Sequence, residues 1–143
     1  MKKDVIIKLH STFEKIVQKE TESGAEFWLA RDLQPLLGYA RWENFIKVVG
    51  KAKTSCKTAG YEISDHFLDV TKMIEIGKGG NREVDDVALD RYACYLIAQN
   101  GDPSKDEMAN FFGYYIKAKL SQRDGLINQH ARGPLVTLAQ SNN

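Results

Sequence analysis

Apolar side chains recur at Ile6, Leu9, Phe13, Ile16 and Val17, so residues 4–19 predict an amphipathic helix packed on the rest of the chain. "ETESGAE" breaks that stripe, with Gly24 as its expected stop. "EFWLA", Glu26 to Ala30, is short, aromatic and β-prone and predicts a brief strand. Asp32 stands where an N-cap would open a short helix over Leu33–Leu37, with Pro35 in its first turn and Gly38 as the left-handed residue after its end. A longer helix is predicted from about Arg41 to Lys57, ending near Gly60. On a helical wheel Trp42, Phe45, Ile46, Val49, Ala52 and Cys56 form a core face. Lys47, Lys51, Thr54 and Thr58 gather opposite, and Lys53 and Lys57 flank the apolar stripe.

Further on, Val70, Lys72, Ile74 and Ile76 alternate with Asp69, Thr71, Met73 and Glu75, although Val70, Met73 and Ile74 also suit a helix. "GKGGN" is a glycine-rich turn, and "REVDDVAL" resumes with β-branched residues, so the preferred reading is a β-hairpin with a basic tip at Lys78 and Arg82. Leu89 to Gln99 reads as a helix, "NGDP" ends it, and Ser104 can cap a last helix reaching about Leu120. The remainder lacks a periodic apolar face and predicts a mobile tail. The expected fold is α+β: a mainly helical single domain over 1–120 with a short strand and a β-hairpin, a helix-turn-helix or winged-like element, a C-terminal helix, and a flexible tail over 121–143.

Composition changes this picture little, because 143 residues with 43% apolar and 27% charged content describe one ordinary globular domain. Charge distribution says more than the net +1. Residues 31–60 carry six basic and two acidic side chains, whereas 61–107 carry five basic and eleven acidic. A surface zoned in this way can dock on a polyanion by one side. Charges at Asp4, Lys8 and Glu14 interrupt any secretory h-region, and no apolar run is long enough for a membrane span, so a cytoplasmic chain is expected. Cys56 and Cys94 are expected as buried, reduced thiols.

Catalytic chemistry finds no foothold. His10, His66 and His130 have no partner at metal-ligand spacing, no Ser stands in a nucleophile elbow, and no Lys follows an acidic residue by two positions. Asp85, Asp86 and Asp90 are expected to point in different directions. "GKGGNR" lacks the Gly-Lys-Ser/Thr ending of a phosphate-binding loop. No cofactor or metal is expected. The lysine side of the long helix offers ammonium groups one turn apart, which suits a phosphate backbone, and equally suits a solvated surface. The acidic remainder of the chain tips the reading toward DNA. Candidate DNA-contacting residues are Arg31, Arg41, Lys47, Lys51, Lys53 and Lys57, with Lys78 and Arg82 at the hairpin tip, itself also readable as a solvated turn.

The stretch "WLARDLQPLLGYARWENFIKVVGKAKTSCKTAG", with "SDHF" and "LDRYACYLIAQNGDPSKDEMA", resembles the bacterial DNA-damage-inducible protein D family. The run Arg91 to Pro103 is its most specific part, and "LARDLQPLLGY" is also similar, more weakly, to the BRO-N domain of phage antirepressors. The resemblance implies a mixed α and β domain, a nucleic-acid-linked role in the response to DNA damage, and a link to recombinase filaments. "NFFGYYIKAKL" departs from the family pattern after the Asp-Pro turn, as a truncated or divergent member would. The alternative is an antirepressor-like module that sequesters a repressor or a recombinase through Glu83, Asp85 and Asp86, with Phe111, Phe112 and Tyr115 adding an aromatic surface that could also join two copies as a homodimer.

Overall fold

The computed structural model describes residues 3–107, with side chains from Ile7 onward. Helix α1, Lys3–Lys15, leads into a two-residue strand β1, Gln18–Lys19, which turns back into β2, Glu26–Leu29. Helices α2, Ala30–Leu36, and α3, Trp42–Thr58, follow. A single 3-10 turn at Ile63–Asp65 then leads to the long hairpin β3, Phe67–Ile76, and β4, Gly80–Leu89, and to α4, Arg91–Asn100. The strands form one antiparallel sheet in the order β1-β2-β4-β3. The expected α+β architecture is therefore what the chain adopts. Phe111, Phe112, Tyr115, the helix expected to Leu120 and the tail 121–143 lie outside the described residues.

Sheet register decides which side chains enter the core, because directly opposed residues of an antiparallel pair share a face and successive residues alternate. Trp28 opposes Leu89, and Leu89 opposes Phe67. These three, with Val87, face the helices and join Phe13, Leu33, Leu37, Phe45, Val49, Ala52, Cys56, Cys94 and Ile97 in the main core. Trp28 is wholly buried, stacks on Phe13 at 4.5 Å, and donates its indole N–H to the Phe13 carbonyl at 2.8 Å. The opposite face of the sheet carries a smaller cluster of Phe27, Leu29, Leu68 and Val70 around Ala88. Both thiols are free and buried, as expected.

Several local expectations are corrected. Gly24, at φ +73°, belongs to the β1–β2 turn rather than to a helix end, and the intervening chain is held by the Glu20 carboxylate, which accepts from Glu22 and Ser23 amides. Helix α2 springs directly from β2 with Leu29 at its N-cap, so Asp32 lies inside the first turn and caps nothing. Its carboxylate instead takes the Lys72 ammonium at 2.9 Å. With the start moved to Ala30, Pro35 falls in the last turn. Gly38, at φ +84°, ends that helix as expected. The helix expected from Leu89 begins at Arg91, because Leu89 is the last rung of β4 and Asp90 is the true cap, its Oδ1 accepting the Ala93 amide at 2.8 Å.

Candidate nucleic-acid interface

Helix α3 is held by one side only. Phe45, Val48, Val49, Ala52 and Cys56 are buried, and Ser55 Oγ donates to Asn100 Oδ1 at the α4 side. Lys47, Lys51, Thr54, Lys57 and Thr58 are exposed. Among the described residues, Lys47, Lys51 and Lys57 enter no ion pair. Lys53 sits at the flank, half-buried, with its ammonium 3.5 Å from Asp69 at the base of β3. Toward the C-terminal end the lysine row runs into a hollow of about 560 Å³ lined by Lys53, Lys57, Tyr61, Ser64 and Leu68. Trp42, expected in the core, packs against it while remaining half-exposed.

The remaining cations are placed differently. Arg31 is engaged within the protein: its backbone N–H donates to Asp86 Oδ1 at 3.0 Å, its Nε donates to the Asp85 carbonyl at 2.7 Å, and its guanidinium lies 4.1 Å over the Trp42 ring. Arg41 is exposed at the N-cap of α3 and grips Glu43 at 2.6 Å. The Glu43 carboxyl is held below its ordinary value by its own backbone hydrogen bond and by Arg41. Lys78 lies in the turn, which Gly77 and Gly79 make possible at φ +60° and +73°.

Register splits the hairpin by charge. Asp69, Thr71, Met73 and Glu75 share a face with Glu83 and Asp85, and this is the face turned toward α3. Lys72, Ile74 and Ile76 share the other with Val84 and Arg82. Arg82 thus points away from the lysine row, and an acidic ribbon face lies between the two. The structure sets Lys53 and Lys57 together at the hollow beside β3, places Lys47 and Lys51 one turn apart on the open side of α3, and leaves Arg82 apart from both pairs. The signal was in the sequence: a three-residue turn plus period-2 alternation sets the pairing, and hence the faces.

Asp86 does not belong to an acidic surface, which corrects the expectation that it acts there beside Glu83 and Asp85. It is 2% exposed, and its Oδ1 accepts from the Arg31 and Val87 amides. Among the described residues its Oδ2 has no hydrogen-bond partner. Burial pushes its carboxyl upward, against those two amides.

A second group was missed because its members are far apart in sequence. His66 Nδ1 lies 2.6 Å from Asp90 Oδ2, both within 1% exposure. Tyr61 and Tyr92 pack edge-on to the imidazole. Burial pushes the Asp90 carboxyl up. Burial, with Asp90 nearby, also pushes the Cys56 thiol up to about 11, so it is protonated at neutral pH. The His-Asp pair is architectural: it ties the segment before β3 to the N-terminus of α4. Beside it Arg91 makes two hydrogen bonds to the Glu14 carboxylate and one to Glu26, with its guanidinium 4.9 Å over Trp28. The same holds along the run Arg91–Pro103. Asn100 Nδ2 donates to Leu96 O, the Asp102 amide to Tyr39 Oη, and Asp102 Oδ1 accepts from Ser104.

The model of the BRO family, N-terminal domain, matches residues 16–111. Over 100 residues the chain is 45% identical to the DNA damage-inducible protein D of Escherichia coli (strain K12), an alignment covering 70% of this chain and 36% of that protein. The chain thus spans little more than a third of the length of the relative it matches. No solved structure gives a significant match. Among the described residues, no helix is long and apolar enough to cross a membrane.

Proposed function

The chain belongs to the BRO family by its N-terminal domain, and from that premise we propose that it is a cytoplasmic, non-catalytic regulator linked to DNA damage that binds DNA by its phosphates. The damage link rests on the similarity to DNA damage-inducible protein D. The observation that carries DNA binding is the set Lys47, Lys51 and Lys57: three exposed ammonium groups that enter no ion pair among the described residues, on a helix whose other side is locked in the core. Lys47 and Lys51, four residues apart, stand about 6 Å from one another along the axis, and Lys57, six residues further on, lies about 9 Å beyond and about 120° around the helix. The Lys47–Lys51 spacing suits consecutive phosphates of a backbone, which position a protein without specifying sequence. Lys53 joins the row only by leaving Asp69, and Arg41 only by leaving Glu43.

Fluorescence anisotropy with labelled single-stranded and duplex oligonucleotides across a salt series tests this reading. Three phosphate contacts should give a log–log salt slope of about −2.7 on duplex DNA. The triple variant K47E/K51E/K57E should lose binding. An absence of binding to either oligonucleotide at low salt would overturn the proposal.

The second reading is an interaction module acting on a repressor or a recombinase. It is favoured by Glu83 and Asp85, which are exposed on one face of the hairpin with Met73, itself 62% exposed. It predicts partner binding that survives the triple lysine variant and is lost on charge reversal at Glu83 and Asp85.

A further inference from the structure

Strand β3 ends the sheet on one side, and among the described residues its outer edge is unpaired along Phe67–Ile76. Exposed edges are ordinarily blunted by shortness, a proline, a bulge or a lysine. None of these protects β3. It is ten residues long, contains no proline, and pairs with β4 without a bulge from Phe67 opposite Leu89 to Ile76 opposite Gly80. Its one lysine, Lys72, is drawn across the sheet: the ammonium lies 2.9 Å from Asp32 in α2, the helix that springs from β2 on the other side of β4. The strand also carries Met73 (62%) and Ile76 (47%), two of the three large apolar side chains that stand exposed among the described residues.

We propose that this edge pairs antiparallel with the same edge of a second copy, about a two-fold axis at Met73, so that two sheets become one. A two-fold axis perpendicular to a sheet preserves its faces, so directly opposed residues must come from the same face of β3. Centring at Met73 meets that condition along the whole strand. Met73 then opposes its own copy, Lys72 opposes Ile74, Thr71 opposes Glu75 and Val70 opposes Ile76. No like charges are directly opposed, a hydroxyl meets each Glu75 carboxylate, and both exposed apolar side chains gain apolar neighbours. Neighbouring registers do worse. Centred on Lys72, the pairing would oppose Lys72 to its copy and Asp69 to Glu75; centred on Ile74, it would set Met73 against Glu75. The contact uses a single surface of the chain, is isologous, and closes at two copies. Because the faces are preserved, both α3 helices lie over the same face of the joined sheet.

The experiment is sedimentation equilibrium of the full chain without DNA, so that its result is independent of the DNA reading. The wild type should be dimeric at about 100 μM, as a small interface allows. T71E opposes two carboxylates at each end of the pairing and should weaken the dimer at least about tenfold. T71E/E75K makes the opposed charges opposite in sign and should restore it. Thr71 and Glu75 are exposed, so both variants should keep the wild-type circular dichroism spectrum. On mild oxidation M73C should form a disulfide-linked dimer, because opposed residues stand within bonding reach, while E83C on β4 should not. The native thiols, Cys56 and Cys94, are buried and do not compete. A monomeric wild type, a dimer indifferent to T71E, no recovery in T71E/E75K, or E83C cross-linking as readily as M73C would each overturn the proposal.

Discussion

Two regions of this domain treat charge in opposite ways. Around the N-terminus of α4, charged and polar side chains are sunk into the fold and paired: Arg91 with Glu14 and Glu26, His66 Nδ1 with Asp90, and Asp90 again with the Ala93 amide, while His66 Nε2 has no hydrogen-bond partner among the described residues. Along the open side of α3 and on the hairpin, charges of both signs stand exposed, and among the described residues Lys47, Lys51, Lys57, Glu75, Glu83 and Asp85 enter no ion pair. Burial makes the difference. A buried ion must be paired because its desolvation is costly, whereas an exposed one is already satisfied by water and is free for a partner. The run with the most specific resemblance to relatives lies in the first region, and its side chains hold the fold together. The residues assigned to recognition lie in the second.

The comparison breaks most visibly at Asp90. Replacing it with Ala removes a helix cap and leaves His66 buried with no acceptor, for an expected loss of about 3–5 kcal/mol in urea denaturation. A loss below about 1 kcal/mol would show the pair to be incidental. Arg91→Met keeps the stem over Trp28 but abandons two carboxylates, and should cost about 2–3 kcal/mol. Its partners are half-exposed, so the loss is smaller than at Asp90.

Asp86 sharpens the contrast, being a buried carboxylate that is only half satisfied. Its pKa is raised in the folded protein, so its contribution to stability is complete below the ordinary value of 3.8 and is lost as the pH rises through the folded value. Asp86→Asn removes that titration while retaining an acceptor for the Arg31 and Val87 amides. Denaturation at a series of pH values should show the variant losing less stability than wild type on going from acid to neutral pH. Parallel curves would mean that Asp86 does not titrate in that window. The smallest effect belongs to the exposed region: K47E/K51E/K57E should change stability by no more than about 0.5 kcal/mol while abolishing DNA binding. A large loss of stability there would place those lysines in the architecture instead.

Much of the domain was legible in sequence because its elements are set by local periodicity. The apolar stripe from Trp42 to Cys56 settled which side of α3 is buried, the alternation from Val70 to Ile76 with "GKGGN" settled the hairpin, and Gly38 and Gly60 marked helix ends through their left-handed backbones. The errors fell where a distant element overrode a local preference. Asp32 reads as a cap, yet strand pairing carries β2 straight into α2 and leaves Asp32 for Lys72, forty positions away. Arg31 reads as a free cation, yet β4 supplies its acceptors. Asp85 and Asp86 are neighbours in sequence, one exposed and one buried, because a pleated strand sends successive side chains to opposite faces. His66 and Asp90 carry no local sign of one another, since their contact exists only once β3 and β4 have paired and set Phe67 opposite Leu89. Sequence by itself determined the elements and their apolar faces, which depend on residues three or four apart. Tertiary structure alone decided which charges are matched, because that depends on groups brought together only by folding.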